Sequence, residues 1–167
     1  MKTIFIFFIV AIGAYLLIKH LTEGKEVKEK DLSVYKRKNF LFDTVSELDL
    51  YKMLLELFGD KYHVFAQVNY SRLIEVKPMS YSEQRKYRSS IDRKSADFVL
   101  CDKEHVIPKL IIELDGSVHN FKSKQARDEF INNLTSVVDL PILHIKTNEM
   151  SKEFIEREVN NKLYGKN

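Results

Sequence analysis

Residues 96–119 read ADFVLCDKEHVIPKLIIELDGSVH. Two runs, ADFVLCD (96–102) and PKLIIELD (108–115), are rich in Val, Ile, Leu and Phe and are separated by a polar DKEH turn. Such runs read as strands paired in a hairpin. They carry apolar residues on both faces, as strands do when covered on both sides. Yet Asp97, Glu113 and Asp115 sit at their ends, with His119 just beyond. If Asp97 lies opposite Ile111, then Asp97, Val99 and Cys101 share a face with Lys109, Ile111 and Glu113. Asp97 and Glu113 then become diagonal neighbours, roughly 7–8 Å apart at the backbone.

Working outward, DTVSELDLYKMLLELFG (43–59) predicts a helix. Thr44 and Glu47 make a capping box, Tyr51, Leu54, Leu55 and Phe58 a core-facing stripe, and Gly59 a stop. YHVFAQVNY (62–70) alternates like a strand. Residues 82–94 are polar and partly helical, 123–138 form a helix capped by Ser123, PILHIKT (141–147) is a strand and 151–165 a final helix. The expected order is α-β-(α)-β-β-α-β-α, an α/β domain over residues 40–167.

Residues 1–21 differ in kind. The run from Thr3 to Ile18 is uncharged and apolar, near the short limit for a transmembrane helix. LIKHLTEGK after it lacks the small-x-small site of a cleaved signal peptide. Lys19, Lys25, Lys28, Lys30, Lys36, Arg37 and Lys38 follow, so the positive-inside rule places the C-terminal domain in the cytoplasm. The expectation is a single-pass anchor in the cell inner membrane, a charged linker over 22–39, then the domain.

The net charge of +3 comes from 27 basic and 24 acidic side chains. Setting aside Lys2 and Lys19 leaves 25 against 24, so no global field gathers nucleic acid, and any attraction is local. The one cysteine, Cys101, excludes an internal disulfide, and no Cys/His spacing suggests a zinc site. A local patch exists: residues 71–94 hold Arg72, Lys77, Arg85, Lys86, Arg88, Arg93 and Lys94 against Glu75, Glu83 and Asp92, with tyrosines interleaved. Basic side chains neutralise phosphates and tyrosines stack on unpaired bases.

Two carboxylates close together at a strand end repel unless a cation lies between them, and hard oxygen ligands favour Mg²⁺ or Mn²⁺. Gly116 turns the chain, exposing Asp115 and returning His119 as a general acid or base. That layout suits metal-assisted hydrolysis of a phosphodiester. Each residue also has a plainer reading. Asp97 is a strand-start turn residue, and Glu113 an ion-pair partner of Lys109 or Arg127. Glu47 is a helix cap, Asp115 with Gly116 a turn pair, and His119 a loop histidine. Gln125, Arg127 and Asp128 are the polar start of a helix, and Cys101 is core packing.

D-x(15)-E-x-D-G-x-x-H, preceded by a helix bearing a glutamate and followed by Q-x-R-D, resembles the PD-(D/E)XK restriction-endonuclease-like superfamily. Within it the chain resembles a bacterial domain-of-unknown-function family and is similar to the very-short-patch repair endonucleases. The tokens are DFVLCD, IELDGSVH and KQARDEF, over about residues 40–147. The resemblance implies an α-β-β-β-α-β core with a central mixed sheet flanked by helices. It puts Asp97 and Glu113 at the metal-ligand positions and Glu47 at the acidic position of the first helix. Asp115 stands where many members keep a catalytic lysine, leaving His119, Lys124 or Gln125 as substitutes. Two functions follow: a membrane-anchored nuclease with Arg85, Lys86, Arg88, Arg93, Lys94 and Arg127 on the nucleic acid, or an inactive nuclease-fold module that binds nucleic acid or a protein.

Overall fold

The computed structural model describes residues 12–18, 31–116 and 122–165. The chain divides into two compact units, Met1–Asn39 and Phe40–Asn167. In the first, residues 12–18 are helical and exposed, and a short 3-10 turn spans Leu32–Val34 with Asp31 accepting from the Ser33 amide. Among the described residues no helix is long and apolar enough to cross a membrane. Most of the expected span over 1–21 lies outside the described residues.

The second unit is a mixed α/β domain. Four strands, β1 (Tyr62–Asn69), β2 (Ser95–Asp102), β3 (Pro108–Asp115) and β4 (Ile142–Lys146), lie in sequential order in one sheet. β1–β2 and β2–β3 are antiparallel, and β3–β4 is parallel. The parallel pair needs a crossover, supplied by helix α3 (Lys122–Val137), while α1 (Val45–Phe58), α2 (Tyr81–Ile91) and α4 (Lys152–Tyr164) complete the domain.

Alternation along β2 and β3 splits the core in two. Phe98, Leu100, Leu110 and Ile112 face one way, against Leu50, Leu54 and Phe58 of α1 and Ile155 and Val159 of α4. Val99, Cys101 and Ile111 face the other way, against Tyr70, Ile74, Ile91 and Ile131 of α3. Cys101 is therefore core packing, as its plainer reading had it. Truncating a side chain as enclosed as Leu54 or Leu110 to alanine costs about 2–5 kcal/mol.

Three local expectations are corrected. The buried stripe of α1 is Leu50, Leu54 and Phe58; Leu55 is 41% exposed. Tyr51 instead lies at the flank, stacked on Phe98 and beside Phe42, while Leu50 is buried in the core. α3 begins at Lys122, so Ser123 falls inside its first turn rather than capping it. The hairpin register also differs: Phe98 faces Ile112 and Val99 faces Ile111. Extended by one pair, that register sets Asp97 opposite Glu113, not Ile111. The face assignment survives because the shift is two residues. Its origin is the connection: residues 103–107 form a full loop, and the ladder slips at Leu100/Cys101, where Cys101 pairs with Pro108. Proline has no N–H to continue the ladder.

Candidate active site at the open end of the hairpin

At the open end of β2–β3 the backbone ladder gives way to side chains. The Leu114 amide donates to Asp97 Oδ2 at 2.8 Å. Across β2, the strained partner is Gln67 of β1. Its neighbours Ala66 and Val68 pair with Phe98 and Ala96, while Gln67 itself, level with Asp97, has φ 54°. A non-glycine residue in that left-handed region is uncommon and costs about 1–2 kcal/mol. Such strain is often found beside functional groups.

Glu113 is the centre of the arrangement. Tyr70 opens the short turn Tyr70–Arg72 that follows β1, and is fully buried. Its position is fixed from two sides: the Tyr70 amide donates to the Lys94 carbonyl at 2.9 Å, and Asn69 Nδ2 donates to the Asp92 carbonyl at 2.5 Å. Its hydroxyl donates to Glu113 Oε1 at 2.6 Å. Burial pushes the Glu113 carboxyl up to about 7. The Tyr70 hydrogen bond opposes this, the adjacent Asp97 carboxylate adds to it, and the Arg127 guanidinium opposes it. Burial, together with the neighbouring Glu113, also drives the Tyr70 hydroxyl well above its ordinary range. Arg127, exposed on α3 one turn before buried Ile131, thus places its charge over the acids. Of the two ion-pair partners considered for Glu113, Arg127 is the one nearby; Lys109 pairs with Asp102 at 3.3 Å instead.

Asp115 meets a histidine from the neighbouring strand. His144 lies beside Glu113 in the β3–β4 register and shares its face. Its Nδ1 is 3.2 Å from Asp115 Oδ2, and its Nε2 is 2.9 Å from Asn132 Oδ1 of α3. Lys146, beside Asp115 in the same register, is on this face too and pairs with Glu149 at 3.2 Å. His144 and Asn132 were missed by sequence reasoning, and Tyr70, counted there among the base-stacking tyrosines of the basic patch, is instead buried against Glu113. His144 did leave a signal: a polar residue between Leu143 and Ile145 in a buried strand, the same anomaly that singled out Glu113.

The other expected residues divide. His119 lies outside the described residues. Gln125 is exposed on α3. Glu47 closes its own helix start: Thr44 Oγ1 accepts from the Glu47 amide at 3.1 Å, and Glu47 Oε2 accepts from the Asp43 amide at 2.9 Å. α1 also covers the sheet face opposite to the one that Asp97 and Glu113 share. The capping reading therefore accounts for Glu47. Of the basic set, Arg85, Lys86, Arg88 and Arg93 are exposed, with Arg88 3.5 Å from Asp92. Lys94 turns inward, donating to the Ser90 carbonyl at 2.5 Å with its ammonium 5.2 Å from the centre of the Phe130 ring.

Among the described residues no group of three or more His, Cys, Asp and Glu side chains is placed to hold a metal ion. The donor set is two carboxylates. Each keeps one oxygen outside the bonds to Tyr70 and Leu114, which suits a hard cation that retains several waters, as Mg²⁺ does.

The chain belongs to the family described as protein of unknown function (DUF2726), whose model matches residues 39–163. No curated protein and no solved structure matches the chain.

Proposed function

We propose that this chain is a membrane-anchored, divalent-metal-dependent nuclease of the PD-(D/E)XK restriction-endonuclease-like group, akin to very-short-patch repair endonucleases, that hydrolyses phosphodiester bonds in DNA or RNA. The observation that carries this reading is the pairing of Asp97 with Glu113, two acids at one strand end, with Glu113 raised to about 7 by burial. An acid raised so far by burial in a structural role has simpler replacements. A cation between the two would supply Lewis-acid polarisation of the phosphate and an activated water. The protein's own residues do the rest. Asp97 and Glu113 hold Mg²⁺ or Mn²⁺. Tyr70 fixes the Glu113 carboxylate, Asp115 and Asn132 orient His144 toward a proton, and Arg127 steadies a phosphate. The α-β-β-β-α-β order of the sheet and its helices agrees with this group.

The membrane part of the proposal rests on the apolar run from Thr3 to Ile18 and the basic residues that follow it. Protease added to right-side-out vesicles should leave the domain intact; its degradation would reverse the orientation.

A second reading has one observation in its favour. Tyr70 and Arg127 already partner Glu113, and the described ligand set stops at two carboxylates, as suits an inactive module that binds nucleic acid or a protein. Calorimetric titration of the full chain with Mg²⁺ and Mn²⁺, beside Asp97→Ala, separates the two. The same samples are then incubated with single- and double-stranded DNA and RNA. Metal binding and cleavage that both vanish in the variant support the nuclease; no metal binding by the parent sinks it.

A further inference from the structure

Between the Tyr70–Arg72 turn and α2 lies a cleft of about 350 Å³. Ile74 and Ile91, both nearly inaccessible to solvent, lie beneath it, and the surface it offers is mainly polar. Its rim carries Arg72, Arg88, Glu75 and Gln84. Among the described residues, Arg72, Glu75 and Gln84 make no side-chain hydrogen bond or ion pair, and Arg88 has its 3.5 Å contact to Asp92. The rim therefore offers two cations, one anionic acceptor and one amide able both to donate and to accept. The turn that forms its wall begins at Tyr70, whose hydroxyl holds Glu113. The cleft's first lining residue, Ser71, directly follows Tyr70 in the chain.

That combination is the complement of one nucleotide. An unpaired nucleotide presents an edge of donors and acceptors on its base and a phosphate one sugar away. The cleft is also within the size range of a small-ligand site. We infer that this cleft binds an unpaired nucleotide of a single-stranded substrate, with Arg72 and Arg88 on its phosphate and Gln84 and Glu75 on its base edge. A duplex hides that edge in pairing, so the cleft selects single strands or an extruded base. Glu75 sharpens the selection, because a carboxylate accepts from the exocyclic amine of cytosine or adenine and meets only acceptors and an imide N–H on thymine or uracil. The inference deepens the nuclease reading and rests on it for the identity of the ligand, though not for cleavage.

The test is fluorescence anisotropy of the full chain in EDTA with oligo-dC, oligo-dT and hairpin-duplex probes. Oligo-dC should bind at least about five-fold more tightly than oligo-dT, and the duplex more weakly than either. Glu75→Gln should bring the two single strands within about two-fold of each other. Arg72→Ala combined with Arg88→Ala should weaken all single-strand binding about ten-fold and lower the salt slope by about two. Equal affinity for oligo-dC and oligo-dT, tighter binding of the duplex, or a preference indifferent to Glu75→Gln overturns the inference. Repeating the assay with Mg²⁺ and following cleavage keeps the two ideas apart. A base preference without cleavage defeats the nuclease and keeps the cleft; cleavage without a preference does the reverse.

Discussion

The two ends of the β2–β3 hairpin each hold an acid of the same strand, and they treat it in opposite ways. At the closed end, Asp102 accepts from the His105 amide at 2.9 Å and the Ile107 amide at 3.2 Å, and its other oxygen meets Lys109 at 3.3 Å. The His105 amide, with help from Ile107 and Lys109, holds that carboxyl below its ordinary range. At the open end, Asp97 faces a second acid, and burial lifts Glu113 to about 7. The first arrangement is what a chain does with an acid it needs for folding: charge and lone pairs are all answered locally. The second leaves an electrostatic conflict that folding alone would remove. Since both share the same strands and the same sheet, the difference is not one of scaffold. The proposed cation would answer that conflict at the open end.

The largest effect that can break this contrast is catalytic. Asp97→Asn keeps the shape of the side chain and removes its charge. Cleavage in Mg²⁺ should fall about a thousand-fold, the scale of losing an ion that stabilises the transition state, with an unchanged circular dichroism spectrum. Activity within a few-fold of the parent would reduce the open end to the same structural status as the closed one.

Next in size is a stability effect that depends on pH. Glu113 rises from an ordinary value of 4.5 to about 7 in the fold. The folded protein therefore binds its proton more tightly than the unfolded chain. That contribution is fully present below about pH 4.5 and is lost as pH rises through 7. Glu113→Gln, which cannot ionise, should flatten the dependence. In EDTA at pH 8 it should be the more stable protein by on the order of 2–3 kcal/mol in urea unfolding. Mg²⁺ should narrow that gap by stabilising the parent alone. A variant less stable than the parent at pH 8 would mean that Glu113 is well solvated in its ionised form.

The closed end gives the control. Asp102→Ala should lower the midpoint of thermal unfolding, because the two loop amides lose their acceptor, and leave cleavage within about two-fold. A large loss of cleavage here would show that loop 103–107 contributes to chemistry.

The contrast also explains what could be read from sequence. Both strands, the core they form and the positions of Asp97 and Glu113 were legible, because alternation and unusual acids in apolar runs are local signals. The register was not, since it depends on a five-residue loop and a slip at Pro108 that composition does not reveal. Nor was the true surrounding of the acids. Tyr70 arrives from the end of β1, and Asp115 is met by His144 from β4, 29 residues away in the chain, rather than by a partner placed through local spacing. Glu47 shows the converse: a local motif, the capping box, accounts for its hydrogen bonds in the fold.

The smallest effect is the most discriminating, because each end also carries one strained backbone. Val106, in the closing loop, has φ 58°, and Gln67, level with Asp97, has φ 54°. Both sit where glycine is at ease and a side chain is not. Val106→Gly should stabilise by up to about 1 kcal/mol, strain relief outweighing the greater freedom of glycine in the unfolded chain, with cleavage unchanged. Gln67→Gly should give a similar or smaller gain, but at a cost to cleavage if the bend level with Asp97 serves the proposed site. Stability gained with activity lost at one end, and stability gained for nothing lost at the other, is the signature of strain kept for function. Equal behaviour of the two variants in paired urea-unfolding and cleavage assays would mean that the bend at Gln67 is only a feature of an edge strand.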